Sequence, residues 1–152
     1  MSNGKKRAQQ VRYKLTPQPI EIKNKKVLLL DDSIVRGTTS REIVKMIREF
    51  SPQTVSFVSA CPPLKYPCFY GVDIPSSADL IAANYSLEDI RQHLDVDQLL
   101  FQEMDDLVEA VTRKGKHLIK TPCMACMNGQ YVHTDDAFLA CQTNRGDVCS
   151  VS

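Results

Sequence analysis

A chain of 152 residues, 43% hydrophobic, 24% charged and without tryptophan, has the length and composition of one globular domain. Those fractions exclude wholesale disorder and collagen-like repetition. Apolar runs such as Val27-Leu28-Leu29-Leu30 fall far short of the ~20 residues a membrane span needs. The Met-Ser-Asn-Gly-Lys-Lys-Arg start has no apolar stretch behind its charges, so the expectation is a soluble, cytoplasmic protein with no membrane partner.

The net charge of +1 hides an asymmetry. Residues 1–26 carry eight basic residues against Glu21 alone, and the remainder carries 11 basic and 17 acidic residues. A basic arm of this kind suits phosphate, as a nucleic-acid contact or as a loop meeting a phosphorylated small molecule; it also suits a solvated terminus. The six cysteines, at 61, 68, 123, 126, 141 and 149, come without a secretory signal, so disulfides are not expected.

Residues 1–24 lack periodicity and contain Pro17 and Pro19, which predicts an arm leading into the fold. Lys26 to Leu30 reads as a strand buried on both faces. Thr39-Ser-Arg-Glu42 has the form of a capping box, followed by Ile43, Val44, Ile47 and Phe50 on one helical face and Lys45, Arg48 and Glu49 on the other. Ser51-Pro52 stops that helix, and Thr54 to Ala60 is a second strand, so the unit is βαβ with parallel strands. Residues 61–78 form a long Pro-rich connection. Ser86-Leu-Glu-Asp89 caps a second helix through Leu94, Gln98 to Gln102 is a third strand, and Asp105 to Thr112 a third helix with Leu107, Val108 and Val111 inward. From Gly115 onward the pattern dissolves into a Cys-rich tail.

The most informative segment is Val27-Leu-Leu-Leu-Asp31-Asp32-Ser33-Ile-Val-Arg36-Gly37-Thr38-Thr39. Ligands of open α/β sheets bind beyond the carboxyl ends of strands, where this strand-to-helix loop must lie. Glycine permits close backbone approach, a helix N-terminus offers free amides, and two threonines add hydroxyls; together they make a phosphate cradle. Two adjacent carboxylates would repel a phosphate that touched them and suit sugar hydroxyls, Mg²⁺ or developing positive charge. The combination points to a sugar phosphate that ionises at its anomeric carbon.

This string resembles the 5-phosphoribosyl-1-pyrophosphate (PRPP) motif of type I phosphoribosyltransferases, and Ser33-Ile-Val-Arg-Gly-Thr-Thr39 resembles the amidophosphoribosyltransferase family in particular. Similarity extends to Arg7-Ala-Gln-Gln-Val-Arg12-Tyr-Lys14-Leu15, to Pro62-Pro63 with Tyr66-Pro-Cys68-Phe-Tyr-Gly-Val-Asp73-Ile-Pro75, and to Cys123-Met-Ala-Cys126 with Gly129 and Tyr131. The resemblance implies a doubly wound α/β fold, here a partial type I phosphoribosyltransferase with a Rossmann-like parallel sheet and a Cys-containing tail. Residues 1–24 would hold part of a flexible closing loop, 25–114 the C-terminal half of the phosphoribosyltransferase domain, and 115–152 the tail. Asp31 and Asp32 would bind the ribose hydroxyls and Mg²⁺, Ser33 and Arg36 to Thr39 would hold the 5-phosphate, and Arg12 and Lys14 would stabilise the departing pyrophosphate. The implied reaction forms 5-phosphoribosylamine from PRPP and glutamine-derived ammonia, in purine biosynthesis.

By the same resemblance Cys68, Cys123 and Cys126 match three of four thiolate ligands of a [4Fe–4S] cluster, the fourth lying upstream. Cys-x-x-Cys on its own leaves zinc, iron–sulfur and a redox pair open. Cys61, Cys141 and Cys149 have no counterpart, and His93, His117 and His133 no ligand spacing. The glutaminase domain and first half of the phosphoribosyltransferase domain have no match here, so the chain is expected to be a fragment, inactive alone, of an enzyme that is a homo-oligomer when complete and has no nucleic-acid partner. The alternatives are a phospho-acceptor signalling domain modified at Asp73 and a non-catalytic PRPP-sensing regulatory module.

Overall fold

The structure is a computed structural model that describes residues 15–70, 72, 74, 76–113 and 118–132. Three strands, β1 (Lys26–Asp31), β2 (Thr54–Ser59) and β3 (Gln98–Phe101), form a parallel sheet in the order β1-β2-β3. Leu29 stands opposite Phe57, and Phe57 opposite Leu99, so apolar residues line up in register across one face. Helix α1 (Pro19–Ile22) precedes β1, and α2 (Thr38–Arg48) links β1 to β2. Between β2 and β3 come the Pro-rich connection, a 3-10 turn (Ser77–Asp79), α3 (Ile81–Asn84) and α4 (Leu87–Leu94). After β3 follow α5 (Met104–Thr112) and α6 (Ala125–Asn128).

The core is the seam between the sheet and helices α2 and α4. Val44 and Ile47 from α2 and Ile90 and Leu94 from α4 close on Val55, Phe57 and Leu99, with Val27 and Leu29 packed at the edge. Each fully buried aliphatic or Phe side chain contributes roughly 1.5–3 kcal/mol, so this seam dominates the stability. Ile22 of α1 also enters the core, so the end of the presumed arm is docked against the domain.

The opposite sheet face differs from expectation. Leu28, Leu30 and Leu100 are 65%, 71% and 55% exposed, so β1 is covered on one face where its all-apolar run predicted two. The reason is topological. Strand order advances in one direction, and successive crossovers of one hand then deliver both helices to the same face. A doubly wound sheet reverses its order beside the first strand, and no such strand flanks β1 among the described residues. Val111 is likewise exposed on α5, with Leu107 and Val108 only partly covered.

Other local readings were closer. The capping box of α4 is complete: the Asp89 amide donates to Ser86 Oγ at 3.2 Å, and the Ser86 amide donates to Asp89 Oδ2 at 3.1 Å. The box expected at Thr39 is absent, because α2 starts earlier, at Thr38, with Gly37 as its N-cap and no side-chain cap. Glu42 pairs with Lys45 instead, at 2.9 Å.

Asp97, just before β3, ties the sheet to α2. Its carboxylate accepts the Val55 amide at 2.6 Å and the Arg48 guanidinium at 3.0 Å. The Val55 amide, followed by Arg48 and Arg91, holds this carboxyl below its ordinary range, against a smaller opposing effect of burial. The lowered folded-state pKa means that this stabilisation is complete above the unfolded carboxyl's pKa of about 3.9 and is lost as the pH falls through the lower folded value. Asp97→Ala is expected to cost about 1 kcal/mol at neutral pH, because the site is partly solvent-screened. Denaturant melts of both proteins should converge as the pH falls through that lower value; a difference that stays constant from neutral pH into acid would assign the effect to packing.

Candidate functional site

β1 ends at Asp31 and the chain turns through Asp32 to Gly37 into α2. Gly37 adopts φ 72°, a left-handed conformation that β-carbon-bearing residues disfavour. A β-carbon there would lie 2.9 Å from Ile81 Cδ1, so the glycine also serves close approach to α3. The first amides of α2 have no intrahelical acceptor, and no side chain caps them among the described residues. The helix start thus presents unpaired donors beside the exposed residues Thr38 and Thr39.

These residues enclose a cavity of about 270 Å³ lined by Asp31, Asp32, Ser33, Val35, Arg36, Gly37, Thr38, Thr39 and Ser40. Every residue expected to hold the ribose and its 5-phosphate therefore borders one space. Asp31 is half-buried at the strand end and its Oδ1 accepts the Asp32 amide at 3.0 Å. Ser33 Oγ donates to Asp32 Oδ1 at 3.3 Å. Neither carboxylate pairs with a cation among the described residues. Two uncompensated acids beside free amides make a site with a negative end and a positive end, suited to a ligand whose phosphate and polyol lie apart.

A larger open cavity, about 600 Å³, lies behind the loop and is lined by Arg36, Thr38, Asp79, Ile81, Tyr85, His93 and neighbours. His93 borders it with a pKa lowered by burial and then by Arg41 and Lys45. Sequence reasoning passed over Asp79 and Ile81. They lie more than 40 positions beyond the loop, in a segment without periodicity.

The cysteine region adjoins this site. Cys61, Cys68 and Cys126 flank a small apolar cluster of Leu64, Ile74 and Leu80, against which Val35 of the loop also packs. The amides of Lys65 and Tyr66 both donate to the Cys126 carbonyl at 3.0 Å, and Tyr131 Oη donates to the Pro67 carbonyl at 2.7 Å. Phe69 and Tyr131 meet in a tilted contact with ring centroids 5.0 Å apart, and Gly129, at φ 76°, lets the Tyr66 ring approach its α-carbon. Residues 126–131 are thus pinned to the Pro-rich connection by hydrogen bonds and aromatic contacts.

Cys61, Cys68, Cys123 and Cys126 are free thiols. Burial, then Cys126 and Asp32, push Cys61 up to about 11, which makes it a poor thiolate. Cys126 is raised by burial, then by Cys68. Among the described residues, no three His, Cys, Asp or Glu side chains converge as a metal-ligand set. Arg12, Lys14, Asp73, His117, His133, Cys141 and Cys149 lie outside the described residues. Residues 67–70 form no strand. No described helix is long and apolar enough to cross a membrane.

No protein-family model matches the chain. Individual proteins do. The amidophosphoribosyltransferase of Escherichia coli (strain K12) is 42% identical over 129 residues, covering 85% of this chain and 25% of that protein. That of Bacillus subtilis (strain 168) is 42% identical over 125 residues, covering 82% and 26%. The Methanocaldococcus jannaschii protein of the same name is 40% identical over 121 residues. Among solved structures, glutamine PRPP amidotransferase from B. subtilis, complexed with ADP and GMP, superposes with a TM-score of 0.68 at 37% identity, covering 82% of this chain and 28% of that one. By sequence and by fold together, the chain is a relative of the amidophosphoribosyltransferases that spans about a quarter of their length.

Proposed function

We propose that this chain is the PRPP-binding portion of an amidophosphoribosyltransferase, acting in the step of purine biosynthesis that forms 5-phosphoribosylamine. The observation that carries this reading is the single cavity bordered by Asp31, Asp32 and the Ser33–Thr39 loop. The helix-start amides and the threonine hydroxyls bind the 5-phosphate, where the α2 dipole favours negative charge. Asp31 and Asp32 accept hydrogen bonds from the ribose hydroxyls. As pyrophosphate leaves and ammonia approaches, positive charge develops on the ribose ring, and the fixed carboxylates stabilise it electrostatically. Arg12 and Lys14 belong to a segment that closes over the pyrophosphate and excludes water.

Residues 25–114 then constitute the C-terminal half of the phosphoribosyltransferase unit, 1–24 part of its closing loop and 115–152 its tail. Mg²⁺ is supported by two adjacent carboxylates without a cationic partner among the described residues, and when bound it would offset pyrophosphate charge. Cys68, Cys123 and Cys126 supply three sulfur donors where a [4Fe–4S] cluster takes four. Cys68 and Cys126 share one apolar seam, yet the donor set does not converge on a metal, and no step of this chemistry runs through a cluster. Four unpaired thiols accord with a reducing, cytoplasmic compartment.

The test is calorimetric titration of the 152-residue chain with PRPP, with and without Mg²⁺. Saturable, Mg²⁺-dependent binding that ribose 5-phosphate displaces is the expected result. Heat that is unchanged on removing Mg²⁺ and insensitive to ribose 5-phosphate would overturn the reading.

A further inference from the structure

Arg36 belongs by sequence to the phosphate loop, but its guanidinium is engaged elsewhere. Its Nη2 lies 3.5 Å from Asp79 Oδ2, and the residue lines the rear cavity as well as the proposed phosphate cavity. Two further links join the same segments: the Ile81 amide donates to the Val35 carbonyl at 2.9 Å, and Ile81 Cδ1 fills the space against Gly37. The 3-10 turn that carries Asp79 is itself held by Asn84, whose Nδ2 donates to the Ser77 and Leu80 carbonyls, both at 2.8 Å. The loop is therefore braced from behind at three consecutive residues, 35, 36 and 37.

We propose that Arg36 and Asp79 form a clamp that fixes the phosphate loop against the Ser77–Asn84 segment, so that both are positioning residues for a bound phosphate monoester. Arg36 acts through the loop's placement, and the amides and hydroxyls of the helix start make the contacts. Asp79 offsets the Arg36 charge, so removing either residue releases the loop in the same way. This rests on the phosphate-loop reading given above.

The test uses the full chain, titrated with ribose 5-phosphate and followed by amide NMR. Arg36→Gln and Asp79→Asn should each weaken binding about threefold, the scale of an exposed ion pair. The double variant should be no weaker than either single one, since the two residues act as a unit. Asp79→Glu should restore affinity, and the loss in the single variants should shrink at high salt, which screens the exposed pair in the wild type as well. Hydrogen exchange at the Ile81 and Arg41 amides, which donate to the Val35 and Gly37 carbonyls, should accelerate in both single variants without a change in melting temperature.

Unchanged or tighter binding in Asp79→Asn, with a loss above about tenfold in Arg36→Gln, would show Arg36 contacting the phosphate directly and overturn the clamp. A wild-type chain that fails to bind ribose 5-phosphate would overturn the phosphate-loop reading. The exchange measurement decides the clamp in that case too, since unchanged exchange in both variants refutes it.

Discussion

Gly37→Ala is expected to destabilise the chain by about 1–3 kcal/mol and to lower ribose 5-phosphate affinity about tenfold. Two effects add. Alanine at φ 72° bears the left-handed penalty of about 1–2 kcal/mol. Its β-carbon also meets Ile81 Cδ1 at 2.9 Å, the far end of a flexible side chain that borders the larger cavity and must turn aside, a smaller cost than the backbone strain. The loop relieves the left-handed strain by turning, which displaces the amides proposed to cradle the phosphate. A double-mutant cycle separates the two effects. Ile81→Val removes Cδ1 and alone costs about 0.5–1.5 kcal/mol. The pair Gly37→Ala/Ile81→Val should be more stable than the sum of the singles by about 1 kcal/mol, the part due to the collision. Strict additivity in denaturant melts would show that the close approach carries no energetic weight.

Much of the fold was legible because local signals agreed with one another. Ser86 and Asp89 fixed the start of α4 through side-chain to backbone bonds that need no tertiary partner, and the structure contains both bonds. Ser51-Pro52 ended α2 as expected, with Ser51 at φ 52°. The error at Thr39 has the opposite cause. Glycine in a left-handed conformation can start a helix without any side-chain cap, and the letters of a capping box occur there for another reason. Thr39 sits exposed beside the cavity, and its hydroxyl has no partner among the described residues.

The run Lys26 to Leu30 shows where sequence carries more than the described structure uses. Leu28 and Leu30 are as apolar as Val27 and Leu29, yet only the latter pair meets the helices. A strand of this composition is suited to cover on both sides, and the relatives are about four times longer than the matched part. The site was legible for a related reason. Its residues are nearly consecutive, so a strand, a loop and a helix start bring them together without knowledge of tertiary packing. The bracing residues Asp79 and Ile81 come from a separate crossover, and only the three-dimensional path of the chain reveals them.

Asp31→Asn and Asp32→Asn are each expected to lower the affinity for Mg²⁺–PRPP by about tenfold or more, the scale of a hydrogen bond to a charged group. Folding stability should be unchanged or slightly raised. Asp31 accepts one backbone amide and Asp32 one hydroxyl, bonds that an asparagine carbonyl can also accept. Neither acid has a cationic partner to lose among the described residues, and neutralising either relieves repulsion between adjacent charges. A residue retained for the fold would show the reverse pattern, with stability and binding falling together. Ribose 5-phosphate measured without Mg²⁺ divides the two roles of the pair. If the acids hold the ribose hydroxyls, both ligands weaken. If they hold the metal alone, only Mg²⁺–PRPP weakens, while the phosphate end, fixed by Gly37, Thr38 and Thr39, binds as before. Wild-type affinity for both ligands in both variants would remove these carboxylates from the site and leave the loop as a phosphate cradle without a sugar pocket.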